Sequence, residues 1–246
     1  MALRWKKNKS PVEMQTLLPA PESPDQVRGL FWRPNEAFVA ELAAALEGYK
    51  VLEVFAGNGY LASVLASRGI EVLATSVLSG MDAHCDGLYH PVVECDALSA
   101  VDRFGAGHDM LLMSWPTVTE QAFVAACLWG DKPICFIGEV TCYEKAHLGG
   151  CATDRFFECF EPARTFSSYG RYAMEKACIG KMAPPSRKFR QAKLAWERQA
   201  HQAPQWLPES CMGSAALNEP SGGTLPHCTT TSGKSSHGTG QTSRHV

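Results

Sequence analysis

Apolar positions along residues 29–183 switch repeatedly between a helical and a strand period. The segment EAFVAELAAALEG puts Phe38, Val39, Leu42 and Leu46 on one helical stripe, with Asn35 placed to cap its start and Gly48 to end it. A strand is predicted over 49–55, then a helix carrying Leu61, Val64 and Leu65 that stops at Gly69. Further strands are predicted at 70–75, around 91–94, over the apolar run 109–114 and in PICFIG, each short enough to be buried. Thr117 and Glu120 have capping-box spacing ahead of AFVAACLW, and Thr153-Asp154 opens a helix with Phe156, Phe157 and Phe160. Two β-like runs, ARTFSSY and EKACIGKM, close the series. Strands alternating with helices predict an α/β fold whose mostly parallel sheet is covered by helices on both faces.

The flanks follow neither period. Residues 10–24, SPVEMQTLLPAPESP, hold four prolines, so 1–28 is expected to be a flexible basic extension and folding to start near Gly29. Residues 184–207 read as a basic amphipathic helix and linker, with Ser186 as cap and Phe189, Ala192, Trp196 and Ala200 on one face. Residues 208–246 are mostly Ser, Thr and Gly with few sizeable aliphatic side chains, so burial cannot offset ordering entropy and a disordered tail is expected. A chain of 246 residues, 45% hydrophobic, has room for one domain of about 155 residues and these appendages.

Charge changes this picture little. The net charge of −2 is divided into about −8 over 29–183, +2 over 1–28 and +4 over 184–246. The acidic middle is unlike a broad nucleic-acid-binding face, although the basic flanks can supply non-specific phosphate contacts. No apolar run approaches the roughly 20 residues a membrane span needs, so no membrane partner is expected. None of the ten cysteines is spaced C-x-x-C, and Cys127, Cys135 and Cys159 sit in apolar runs where a thiol packs as a small hydrophobe. A reduced, cytoplasmic protein without structural metal is expected. His84 beside Cys85, and His147 ahead of Cys151, lack a second pair at ligand spacing.

The chemistry concentrates in Val51-Leu52-Glu53-Val54-Phe55-Ala56-Gly57-Asn58-Gly59-Tyr60-Leu61-Ala62, a strand with an acidic residue and a small-residue turn ahead of a helix. Glycine there lets a ligand approach backbone. Gly57, Gly59 and Ala62 also satisfy the dinucleotide pattern G-x-G-x-x-G/A. Against a nicotinamide cofactor stand the charge of Glu53 inside the strand and the second strand's end in Thr75-Ser76, where an acidic residue would bind ribose hydroxyls.

This segment resembles the class I S-adenosylmethionine-dependent methyltransferases, and EVFAGNG looks like their F-A-G-x-G variant, found among enzymes acting on nucleic-acid bases or other amino nitrogens. The resemblance covers roughly 29–183 and implies a Rossmann-like fold with a seven-stranded sheet whose last strand is antiparallel. It implies that Glu53 orders the turn and the methionine ammonium, that Phe55, Ala56, Gly57, Asn58 and Gly59 lie beneath the methionine part, and that Asp96-Ala97 read the adenine. Asp96 reads equally well as a surface residue after a strand. Ser76 stands at the ribose position and offers a neutral hydrogen bond, with Asp82 six residues on as a substitute. The acceptor loop falls at Ser114-Trp115-Pro116-Thr117, partly resembling [DNS]-P-P-[YFW], so Ser114, Trp115 and Pro116 are the catalytic candidates, with Trp115 also readable as a packed side chain beside a turn proline. Glu139 is a candidate acceptor-side contact. The resemblance thus implies N-methylation of a nucleic-acid base, protein or small molecule. The degraded acceptor loop and Ser76 keep open a binding or regulatory protein without turnover. Neither acceptor nor oligomeric state is legible.

Overall fold

The computed structural model describes residues 17, 32–78, 87–170 and 172–202, all within one compact unit, Met1–Ala203. The predicted tail and, apart from Leu17, the predicted N-terminal extension lie outside the described residues, as do Asp82, His84 and Cys85. The apolar runs form seven strands: β1 (Lys50–Val54), β2 (Glu71–Ser76), β3 (Val92–Glu94), β4 (Met110–Ser114), β5 (Ile134–Glu139), β6 (Phe160–Thr165) and β7 (Glu175–Met182). They join one sheet in the order β3-β2-β1-β4-β5-β7-β6, in which β1 to β5 are parallel and β7 runs antiparallel to β5 and β6. This is the topology of the Rossmann-like methyltransferase fold. Chain order reverses direction between β1 and β4, and at such a switch point the connections on either side leave a crevice at the carboxyl ends of the strands.

The described residues form six α-helices: α1 (Glu36–Leu46), α2 (Tyr60–Ala66), α3 (Ala97–Phe104), α4 (Gln121–Trp129), α5 (Asp154–Cys159) and α6 (Arg187–Gln202). The predicted stripe of α1, Phe38, Val39, Leu42 and Leu46, is buried, and the Asn35 side chain accepts the Phe38 N–H at 2.8 Å as the cap. On that face of the sheet Val51, Met110, Leu112, Cys135 and Ile137 pack with α1 and α2. On the other face Leu52, Val54, Leu111, Met113 and Phe136 pack with α3, α4 and α5. Alternation along β1 therefore sends Glu53 to the α1–α2 face, in register with Leu112 and, one strand further, Cys135. A carboxyl group occupies one place in an otherwise apolar row.

Three local expectations are corrected. Thr117 and Glu120 do not form a capping box, because Glu120 pairs with Arg155 and Thr117 with Thr119. Phe160, expected on the helix opened by Thr153-Asp154, lies outside α5 and begins β6, stacked on Phe156 with ring centroids 5.1 Å apart, so that this strand runs Phe160–Thr165 rather than over ARTFSSY. Phe166 and Tyr169 instead leave the sheet and surround Phe38, at 5.7 and 4.7 Å. Helix α6 starts where Ser186 accepts the Phe189 N–H at 3.3 Å, and Phe189 and Trp196 both pack on Tyr143. Three of its basic side chains are engaged: Lys188 with Glu144, Arg190 with Glu158 and Lys193 with Asp154.

Phe38 joins the core to the segment ahead of α1, since it also meets Trp32 at 6.0 Å. Phe38→Ala is expected to cost about 3–5 kcal/mol of stability, read as a lower denaturant midpoint with an unchanged slope. A loss under about 1 kcal/mol would show that this aromatic cluster is not part of the core.

Candidate functional site

At the switch point the carboxyl ends of β1 and β4 open into a cavity of about 360 Å³. Its lining brings together Glu53, Phe55, Ala56, Gly57 and Asn58 from β1 and its turn, Ser76 from β2, Asp96-Ala97 after β3, and Ser114-Trp115 after β4. Residues far apart in sequence, singled out from one family resemblance, thus share one wall. Gly59 and Pro116 are not part of that lining. Gly59 serves the turn from outside: its φ is +75°, and a Cβ would lie 3.0 Å from both His90 Cβ and Val92 Cγ2, which leaves no room for a side chain. Pro116 is buried, and its carbonyl accepts the Ala152 N–H at 3.3 Å. Glu139 turns away as well, taking the Gly150 N–H at 2.8 Å and so holding the loop after β5.

Two bulky residues at the rim have left-handed backbone, Phe55 at φ +62° and Trp115 at φ +50°. Such conformations cost about 1–2 kcal/mol for residues with a Cβ, and packing from both core clusters holds these two in place. Each directs the chain sharply off the end of its strand, so the wall is formed by backbone and ring together.

The polar groups are fixed by a few bonds. Ser76 Oγ accepts the Gly57 N–H at 3.2 Å, so it is Ser76 that anchors the turn, while Thr75 donates to the Glu53 carbonyl at 2.9 Å. Asp96 caps α3: Oδ1 accepts the N–H groups of Leu98 and Ser99, and Oδ2 accepts the Ser99 hydroxyl at 2.8 Å. These bonds, the Ser99 N–H foremost, hold its carboxyl below the usual aspartate range. Ser114 Oγ accepts the indole N–H of Trp32 at 3.1 Å. Trp32 was invisible to pattern reading, because a lone tryptophan ahead of a helix cap has no period. It lines the cavity and stands edge-on to Tyr169 at 5.6 Å. Tyr60 of the glycine-turn segment and Thr117 of the predicted acceptor loop also line the cavity, as do Thr119 and Gln121, which carried no motif.

Glu53 differs from all of these. It is 1% exposed and its Oε2 has no hydrogen-bond partner. Burial alone pushes its carboxyl up to about 8. Among the described lining residues the ionisable carboxyls are Glu53 and Asp96, and there is no Lys, Arg or His. The described lining thus offers two carboxyl groups, one buried and protonated at neutral pH, and no cationic side chain.

No family model and no curated protein matches the chain. Among solved structures it is similar to a magnesium protoporphyrin IX methyltransferase from Synechocystis PCC 6803 with bound SAM, at 16% identity and a TM-score of 0.41 over 61% of this chain and 77% of that one. It is also similar to a 1,6-didemethyltoxoflavin-N1-methyltransferase from Burkholderia thailandensis, with bound 1,6-didemethyltoxoflavin and S-adenosylhomocysteine, at 13% identity and a TM-score of 0.38 over 61% of this chain and 80% of that one. These likenesses are distant, and the functional argument rests on the cavity.

The raised Glu53 carboxyl has a consequence for stability. The unfolded chain ionises near the ordinary glutamate value of about 4.3, whereas the folded protein keeps the proton up to about 8. Stability from this group is therefore full below the unfolded value and is lost as pH rises towards 8, by at most about 1.4 kcal/mol per unit. Glu53→Gln is expected to remove that part of the slope, so that the ligand-free variant exceeds the parent in denaturant midpoint at pH 8. Parallel pH profiles for the two proteins would contradict the assignment.

Proposed function

We propose that this protein is an S-adenosylmethionine-dependent methyltransferase acting on an amino nitrogen. The observation that carries the reading is the make-up of the cavity wall, a buried Glu53 carboxyl whose Oε2 has no partner and the Asp96 carboxylate, with no cation among the described lining residues. A ligand bearing sulfonium and ammonium groups suits such a wall. A dinucleotide would bring its pyrophosphate to a wall holding two carboxyl groups and no cation among the described lining residues, which disfavours an oxidoreductase.

In this reading Glu53 and Phe55 to Asn58 hold the methionine part, Ser76 faces the ribose, and Asp96 with Ala97 meets the adenine. When bound, the cofactor supplies a methyl group already activated for transfer, so the protein's work is alignment and exclusion of water. Ser114 serves the acceptor. Trp32 occupies one lone pair of its hydroxyl oxygen, which leaves the other for an amine N–H and fixes the direction of approach. Trp115 and Trp32 supply flat apolar surface for the acceptor's body. We assign any contact with a nucleic-acid acceptor to the basic flanks; within α6, Lys188, Arg190 and Lys193 are already paired, which leaves that role to the flanks' other basic side chains.

A second reading, a cofactor-binding regulatory protein without turnover, is favoured by the hydrogen bonds that engage Ser76 and Asp96. Both readings require the same pocket. Isothermal titration of the full chain with S-adenosylmethionine is expected to give saturable binding, NAD none, and Gly57→Arg in the turn at φ +58° to abolish binding while the protein still unfolds cooperatively. Binding of NAD in place of S-adenosylmethionine, or unchanged affinity in Gly57→Arg, would overturn the assignment.

A further inference from the structure

The cavity presents a puzzle that ligand shape does not answer. Glu53 sits in register with apolar Leu112, and its Oε2 is buried without a donor. A carboxylate left alone in such a place is strongly disfavoured, and the group resolves this by keeping its proton. We propose that the site admits its ligand by proton exchange: Glu53 is a neutral acid in the empty cavity and gives up its proton when a cation enters, so that it selects a positively charged ligand over a neutral one of similar shape. The inference rests on the cofactor reading above and adds to it a mechanism of selection.

The exchange balances simply. The O–H bond of the Glu53 carboxyl breaks, the proton passes to solvent buffer, and the electron pair stays on the carboxylate that faces the incoming cation. Among the described residues no other group takes its place. From β5 the nearest titratable neighbour is Cys135, whose thiol burial raises well above its ordinary value. From α2 it is Tyr60, also raised by burial, and across the cavity Asp96 is held low by its capping bonds while Cys95 beside it is raised by burial. His90, packed against the turn at Gly59, is pushed below its ordinary value by burial and so stays neutral at pH 7. Packing from α1 is apolar, through Phe38 and Leu42. At neutral pH Glu53, poised near 8, is therefore the group on which a cation acts.

The test is calorimetric titration of the full chain with S-adenosylmethionine and, separately, with uncharged adenosine, in buffers of different ionisation enthalpy. At pH 7 close to one proton should be released per S-adenosylmethionine bound and none per adenosine, and affinity for S-adenosylmethionine should rise about tenfold per unit between pH 5.5 and 7. In Glu53→Gln the proton release should vanish and the affinity become independent of pH over that range. Saturable binding without proton release, or equal release with adenosine, would overturn the exchange while leaving the cofactor reading standing. Absence of S-adenosylmethionine binding at every pH would remove both.

Discussion

An isolated carboxyl group at the end of a buried strand is costly to ionise and costly to leave unpaired, and the cavity of this protein is arranged around that fact. Glu53 lies on the face of β1 that otherwise packs with α1 and α2, next to the point where the strand order reverses. Nothing in the apolar row beside it offers a donor. Its only outlet is the cavity, and the described groups lining that cavity bring no positive charge. Among the described residues this carboxyl has no charged partner before a ligand arrives.

Rigid elements hold this arrangement. The turn after β1 is tied to the end of β2 by the bond between Gly57 and Ser76, and the Thr75 hydroxyl ties β2 back to the Glu53 carbonyl. The segment ahead of α1 comes over the other end of the site, with Trp32 seated against Phe38 and Tyr169 and bonded to Ser114. Left-handed backbone at Phe55 and Trp115 stores strain at the ends of the two strands that flank the crevice. Core packing from both sheet faces sustains it.

Much of the fold was legible because its signals are local. The stripe and cap of α1 depend on residues within a few positions of each other, and so do the short apolar strands and the glycine turn after β1. Legibility fails where a distant partner decides. The start of β6 is set by stacking of Phe160 on Phe156, and the loop before α4 by an ion pair to α5, neither of which has a periodic trace. Within the site, Ser76 looked like a weakened ribose contact, yet its hydroxyl also anchors the turn. Trp32 reaches Ser114 across 82 positions of sequence, a contact that only the folded chain brings about.

The most direct test of the central claim is a crystal structure of the full chain grown with S-adenosylmethionine. The account requires the cofactor to lie in the cavity between the β1 turn and Asp96, with a cationic group against the Glu53 carboxyl and the methyl group turned towards Ser114 and Trp115. A well-ordered cavity without ligand at saturating concentration, or a cofactor bound elsewhere, would contradict it.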